Sequence, residues 1–292
     1  MLIRRQNLSV IIVSFNSDHV IHRCISSIDK EIEIIVIDNS NNTKFKNNIE
    51  EQYKNVKCIL STANIGMGAG NNLGIKNTDK DFALILNPDV ILNKNTIEEL
   101  IKASSEVDSF GLIAPISDKS EYPNYKFDKN ENQKFNQFNP FKVKSVDGYS
   151  MLLNLKKLRK SNFNFFDENI FLYLENDDLC KRLIDLNENI YIIPKAKINH
   201  LGASATSKKY SYQIEMSRNW HWMWSKFYFK RKHQGYLFAL ISGFPKFLSS
   251  ILKFLFYILI KKQNKKQIYL HRASGYLNAL LGRKSFYRPK LD

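Results

Sequence analysis

The run Leu86-Asn87-Pro88-Asp89 closes an apolar stretch with a carboxylate beside a stiff proline, which is either a turn between strand and helix or a setting in which a hard divalent cation finds oxygen ligands. Glu175-Asn176-Asp177-Asp178 places three acids in four residues ahead of an apolar helical run. The positive end of a helix dipole accounts for one or two of them. A third, flanked by Phe171, Leu172, Tyr173, Leu174 and Leu179, falls where partial burial raises a carboxyl pKa toward that of a general base. His200 follows an apolar strand and precedes Gly202-Ala203-Ser204; a lone histidine there is either structural or a ligand. Asp38, in Val36-Ile37-Asp38-Asn39-Ser40, either caps the next helix through an Asx turn or hydrogen-bonds the base or ribose of a nucleotide. In the segment from Asn64 to Asn72, Gly66-x-Gly68-x-x-Asn71 lacks the third glycine of a dinucleotide fingerprint and follows the third strand, which argues against a dehydrogenase. Its glycines allow close approach of backbone to a ligand at a helix start, where amide donors favour an anion.

These residues sit at the ends of elements that recur. Residues 8–15, 32–37, 56–60 and 82–86 are apolar runs of strand length, separated by patterns of helical spacing such as Val20, Ile21, Cys24, Ile25 and Ile28. Asn95-Thr96 with Glu98 and Glu99 opens a further helix, residues 111–116 form a fifth strand, and residues 118–144 read as a long surface loop. Residues 146–153, 191–193 and 197–199 read as strands, with a helix beginning near Glu175. Strands apolar on both faces that alternate with helices predict an α/β fold with a mostly parallel sheet, whose ligands bind outside the carboxyl ends of the strands.

At 292 residues, 43% apolar and 25% charged, the chain is long and apolar enough for a large core, which excludes disorder, collagen-like repeats and a small disulfide scaffold. Cys24, Cys58 and Cys180 are widely spaced among apolar neighbours and read as reduced core thiols of a cytosolic protein. No secretory signal is expected at the N-terminus, and Lys246 and Lys253 interrupt the best candidate for a spanning helix. The formal charge of +16 is uneven: from Lys226 onward fifteen Lys and Arg face the single acid Asp292, so that +14 lies in the last quarter. There, Lys246, Ser249, Ser250, Lys253 and Tyr257 share one helical stripe, apolar residues fill the rest, and Lys261, Lys262, Lys265 and Lys266 follow. That pattern suits a helix lying in a membrane interface against anionic lipid, or one packed on the body of the protein. Trp220, Trp222 and Trp224 fit as interface anchors or as the wall of a binding site.

Taken in order from about Leu8 to about Lys226, these segments resemble the family 2 glycosyltransferases of the GT-A fold, in particular the rhamnosyltransferase-like bacterial enzymes of surface-polysaccharide synthesis. The resemblance is carried by residues 9–16, Ile37-Asp38-Asn39-Ser40, Asn64-Ile65-Gly66 with residues 70–75, Leu86-Asn87-Pro88-Asp89-Val90, Phe166-Asp167-Glu168 through Tyr173-Leu174-Glu175, residues 178–182, and His200. It implies a Rossmann-like, mostly parallel sheet flanked by helices. The catalytic domain would span residues 1–225, with a nucleotide-sugar half at about 1–117 and an acceptor half at about 118–225; a basic amphipathic membrane-associating region would span 226–292. It places the nucleoside-diphosphate sugar donor against Val13, Phe15, Asp38, Asn64, Gly66, Asn71, Asn87 and Asp89. Asp89 and His200 would be ligands of a divalent cation, Mg2+ or Mn2+. Asn87 stands where the family's first DXD aspartate would be, which implies weaker or water-mediated coordination. Asn176 likewise replaces the usual base, leaving Glu175, Asp177 or Asp178 for proton abstraction.

The function so implied is inverting, metal-dependent transfer of a sugar to a hydroxyl of a lipid-linked or surface-glycan acceptor. The Asn-Pro-Asp form tilts the donor toward dTDP-rhamnose, with UDP-linked hexoses as the alternative. The enzyme would be cytoplasmic, peripheral on the inner face of the cell membrane, with no nucleic-acid partner. Two other readings are a sugar-nucleotide-binding family member with little activity and a basic nucleic-acid-binding protein.

Overall fold

The structure is a computed structural model that describes residues 2–118, 123–127, 136–202, 205 and 207–289, without the side chain of Lys208. Ala203 and Ser204 of the small-residue turn, Asp292, and residues 119–122 and 128–135 of the long loop lie outside the described residues. The chain divides into two compact units, Met1–Asp167 with Asn176–Ser207, and Glu168–Glu175 with Lys208–Asp292. These units meet at Ser207/Lys208, and the tryptophan-bearing segment forms one helix with the start of the basic stretch at Lys226.

In the first unit, β1 (Leu8–Ser14), β2 (Glu33–Asp38), β3 (Val56–Leu60) and β4 (Phe82–Leu86) pair in parallel in the order β3-β2-β1-β4. The helices α1 (Asp18–Ser26), α2 (Thr43–Gln52) and α3 (Met67–Lys76) connect them. The sheet continues through β10 (Ser150–Asn154), antiparallel to β4, then β6 (Phe110–Ser117), β11 (Asn189–His200) and β5 (Val90–Leu92). The remaining elements of this unit are α4 (Thr96–Glu106), β7 (Tyr125–Lys126), β8 (Phe141–Lys142), β9 (Ser145–Val146), α5 (Leu155–Lys160) and α6 (Glu175–Asp185), whose first residue belongs to the second unit.

The period of two along β1 serves two cores. Val10 and Ile12 join the cluster that holds Ile21, Cys24 and Leu100, whereas Ile11 and Val13 join the one that holds Ile75, Leu179 and Leu183. All seven residues of β1 are buried, as a strand covered on both faces requires. The three cysteines are buried free thiols, and burial pushes Cys58 and Cys180 up to about 12, so both are held protonated.

The second unit packs α7 (Ser211–Gln234), α8 (Tyr236–Leu259) and α9 (Gln263–Leu280) around Trp220, Met223, Trp224, Phe227, Ala239, Tyr276 and Ala279. Trp220 and Trp224 are thus core residues of this unit, and Trp222 alone of the three is exposed. His221 is wholly buried between Ser285 Oγ at 3.0 Å and the Tyr287 carbonyl at 2.9 Å, and burial pushes it down to about 3, so it stays neutral. By length and composition α8 is apolar enough to cross a membrane despite Lys246 and Lys253, and only 11% of its most apolar window is buried.

Candidate active site

The carboxyl ends of β1 and β4 gather most of the chemistry-bearing residues. Asp89 is 2% exposed and follows β4 through the turn in which Asn87 accepts from Val90 N–H. β5, too short to be read from the sequence, pairs Val90 with His200 at the end of β11. That pairing carries His200 Nε2 to 3.5 Å from Asp89 Oδ1, across 111 residues of chain. The imidazole stacks on Tyr149, ring centroids 4.1 Å apart. Burial first, and then the negative charge of Asp147, push the Tyr149 hydroxyl up to about 12.

Asp89 and His200 fit a seat for a hard cation that supplies one carboxylate and one imidazole and leaves the other positions to ligand oxygens. Among the described residues no group of three or more His, Cys, Asp and Glu converges, so a cation held by these two would take its other ligands from elsewhere. Asn87 Oδ1, two residues before Asp89, is buried and has no hydrogen-bond partner among the described residues. The side-chain oxygens of Ser14, Asn71 and Ser150 share that condition; a fifth, Ser9, lies at the opposite end of β1. Unsatisfied buried acceptors and hydroxyls cost about 1–3 kcal/mol each; Ser14 closes β1, Ser150 opens β10 opposite Leu86 of β4, and Asn71 lies in α3.

The other expected donor contacts are placed differently. Asp38 is 1% exposed, and its oxygens accept from Ser40 N–H, Ser40 Oγ and Asn42 N–H at 2.7–3.2 Å. Its carboxylate builds the Asx turn that shapes the end of β2, the plainer of its two sequence readings. Val13 is buried beneath Gly70, where an added Cβ would stand 2.9 Å from both Val13 methyls. Gly74 presses on Ile11 in the same way, at 2.4 Å. Close approach by Gly70 and Gly74 is therefore of helix to strand, which brings the start of α3 onto the end of β1. Gly66 takes φ +90° as the cap of α3, with Asn64 Oδ1 accepting its N–H at 3.2 Å and Asn39 donating to its carbonyl at 3.1 Å. Phe15 is half-buried and donates its N–H to Ser17 Oγ at 3.2 Å.

The three acids of the Glu175 cluster part company. Asp178 is fully buried and accepts from Arg182 Nε at 2.8 Å, one helical turn on, while the same guanidinium donates to the carbonyls of Asn164 and Phe165. That geometry makes Asp178 a fixing residue of the loop before α6. Arg182→Ala is expected to cost about 3–5 kcal/mol, since it takes the guanidinium away from a buried carboxylate and from two loop carbonyls at once; thermal unfolding checks this, and an unchanged midpoint would contradict it. Asp177 is half-buried and ion-paired with Lys126 Nζ at 2.9 Å. Glu175 lies in the second unit, where its charge acts on Tyr173. Asn176 donates to the Val146 carbonyl at 2.7 Å and packs on Gly148.

A fourth carboxylate escaped the sequence reading. The strand expected at 146–153 breaks between β9 and β10, and Asp147-Gly148-Tyr149 occupy the break. Asp147 is half-buried, and burial raises its pKa; Lys126 opposes this, Asp177 adds to it, and His200 opposes it. The signal available was Asp-Gly inside an apolar run, a break in a strand pattern.

Residues 9–162, more than half of the chain, match the profile of Glycosyl transferase family 2. The chain belongs to this family. The glycosyltransferase is 27% identical over 198 residues to the low-salt glycan biosynthesis hexosyltransferase Agl10 of Haloferax volcanii; the match covers 63% of this chain and 64% of that protein, under two thirds of its length. It is 25% identical over 214 residues to rhamnosyltransferase WbbL of Escherichia coli, covering 63% of this chain and 80% of that one. Among solved structures it is similar to the mannosyltransferase PcManGT of Pyrobaculum calidifontis in complex with GDP-Man and Mn2+, with TM-score 0.57, 10% identity, and 96% and 89% of the two chains covered. It is also similar to TarS of S. aureus in complex with UDP-GlcNAc, with TM-score 0.50, 17% identity, and 96% and 93% covered. At these identities the likeness is one of fold, and the fold of this glycosyltransferase is GT-A.

Proposed function

We propose that this glycosyltransferase moves a sugar, with inversion, from a nucleoside-diphosphate donor to a hydroxyl of a lipid-linked or surface-glycan acceptor. The observation that carries the reading is the approach of His200 to the buried Asp89 at 3.5 Å, just past the carboxyl end of β4. A divalent cation bound by Asp89 and His200 would supply charge stabilisation for the departing diphosphate. Asn71 and Asn87 would hydrogen-bond the donor, with Asn64, Gly66 and Phe15 along its path and Asp38 and Val13 holding the strand ends in shape. Of the two relatives, one is called a rhamnosyltransferase and the other a hexosyltransferase, which supports a six-carbon sugar and leaves dTDP-rhamnose and UDP-linked hexoses as the donors to try first.

For the proton we propose Asp147 ahead of Asp177. Burial raises its pKa, which makes the ionised carboxylate a stronger proton acceptor, whereas Asp177 is already committed to Lys126. The acceptor oxygen forms the bond to the anomeric carbon, the bond from that carbon to the diphosphate breaks, and the hydroxyl proton passes to Asp147. Assayed against a panel of sugar nucleotides with Mg2+ or Mn2+, Asp147→Asn is expected to lose about 10²–10⁴-fold in turnover while donor affinity is retained. Equal or greater loss in Asp177→Asn, with Asp147→Asn active, would move the role to Asp177. A chain that hydrolyses or transfers from no member of the panel would point to the binding-only reading.

We further propose that the second unit lies on an anionic membrane surface. Leu237, Ile241, Phe244, Leu248, Leu252, Leu255 and Leu259 of α8 are exposed, and Lys246, Lys253, Lys261 and Lys262 border them. A wide apolar face with a basic edge matches the acyl and phosphate layers of a bilayer interface.

A further inference from the structure

Three lysines of the second unit meet without an acid. Lys226 and Lys230, one turn apart on α7, and Lys246 of α8 line one cleft with Ser242 and Gly243, over a floor of Met223, Phe227, Ala239 and Tyr276. The ammonium groups of Lys226 and Lys246 face each other, and Lys230 and Arg272 add to the field on Lys226. Lys226 Nζ stands 3.7 Å over the ring of Trp222, and Lys230 Nζ 5.5 Å over that of Phe238. No acidic residue lines the cleft, and no ion pair among the described residues includes any of the three. From Lys208 to the end the sequence offers only Glu215 and Asp292. Glu215 lines a different cleft, with Arg218, Asn219, Trp222 and Arg272.

Like charges one helical turn apart destabilise a helix, and a third facing them across a cleft adds to the repulsion. Such an arrangement gains most from an anion that accepts hydrogen bonds from several ammonium groups at once, and a phosphoryl group has the oxygens and the charge to do so. We propose that Lys226, Lys230 and Lys246 form a seat for a phosphoryl group, supplied by the headgroup of a membrane lipid or by free phosphate. The seat shares the α8 helix with the exposed apolar face, so a lipid whose chains meet that face would offer its phosphate at the depth where Lys246 emerges. This last step rests on the membrane reading above; the seat itself does not.

Consistent with the geometry, burial and then Lys246 bring Lys226 down to about 8. The test is amine-selective labelling of the full chain near pH 9, read by mass spectrometry, in which Lys226 is expected to react about tenfold faster than Lys261. Pyrophosphate, or vesicles of phosphatidylcholine with phosphatidic acid, should restore the proton and slow Lys226 labelling about fivefold, while the exposed Lys57 of β3 in the first unit is unaffected and Lys246→Gln abolishes the protection. Protection by vesicles and not by pyrophosphate assigns the seat to a lipid headgroup; the converse assigns it to free phosphate. Flotation of the chain with anionic vesicles is scored in parallel. Flotation without selective protection of Lys226 by either probe, or with equal protection of Lys57, overturns the seat and leaves the membrane reading standing. Protection by pyrophosphate without flotation overturns the membrane reading and leaves the seat.

Discussion

Asp89→Ala is expected to lower kcat/KM for sugar transfer by about 10²–10³-fold or more, and to remove the response of the residual rate to Mg2+ or Mn2+. The carboxylate is 2% exposed and stands 3.5 Å from the His200 imidazole, so it is desolvated before any donor arrives and its charge is little screened. Removing it would leave His200 as the lone ligand of the proposed seat, too little to hold a hard cation that prefers oxygen. Asp89→Asn keeps the shape of the turn while removing the charge, and should be nearly as inactive with an unfolding midpoint closer to that of the parent. Full activity in either variant would refute the assignment of Asp89.

Gly275→Ala is expected to unfold the second unit at markedly lower temperature. At this point α9 crosses α7 so closely that an added Cβ would lie 2.1 Å from the carbonyl oxygen of Trp220 and 3.0 Å from its carbon. These are backbone atoms and cannot swing aside as a flexible side chain would. Overpacking of this kind costs about 1–3 kcal/mol, and more where backbone must move. The shift would also stretch the Trp220 Nε1 bond to Ser274 Oγ at 3.2 Å, and so loosen the tryptophan at the centre of the three-helix core. Scanning calorimetry measures the effect. An unchanged melting temperature would mean that the helices do not cross at this residue.

The two substitutions act on different units, and their outcomes separate chemistry from folding. Asp89 belongs to a motif that the sequence displays. Gly275 belongs to none, since a glycine in a helical pattern looks the same whether it faces solvent or another backbone.

Sequence alone determined the strands β1 to β4, because runs apolar on both faces can persist only in a sheet covered on both sides. It also determined that Asp38, Asp89 and His200 stand at strand ends, since a polar residue closing an apolar run has to leave the sheet there. The concentration of charge beyond Lys226 was legible too, as a property of composition. What tertiary structure decided was partnership. The three-residue strand β5 has too few residues to show a period, yet its pairing with β11 sets His200 beside Asp89. The carboxylates of the Glu175 cluster look equivalent in one dimension. In three, Arg182 spends Asp178 on holding a loop, Lys126 takes Asp177, and a break between β9 and β10 brings in Asp147, which no local pattern linked to them. The lysines of the second unit follow the same logic. Their number was written in the sequence, but only the packing of α7 on α8 set three of them facing one cleft with no acid to answer them, because charge becomes a site through distance and burial and not through count.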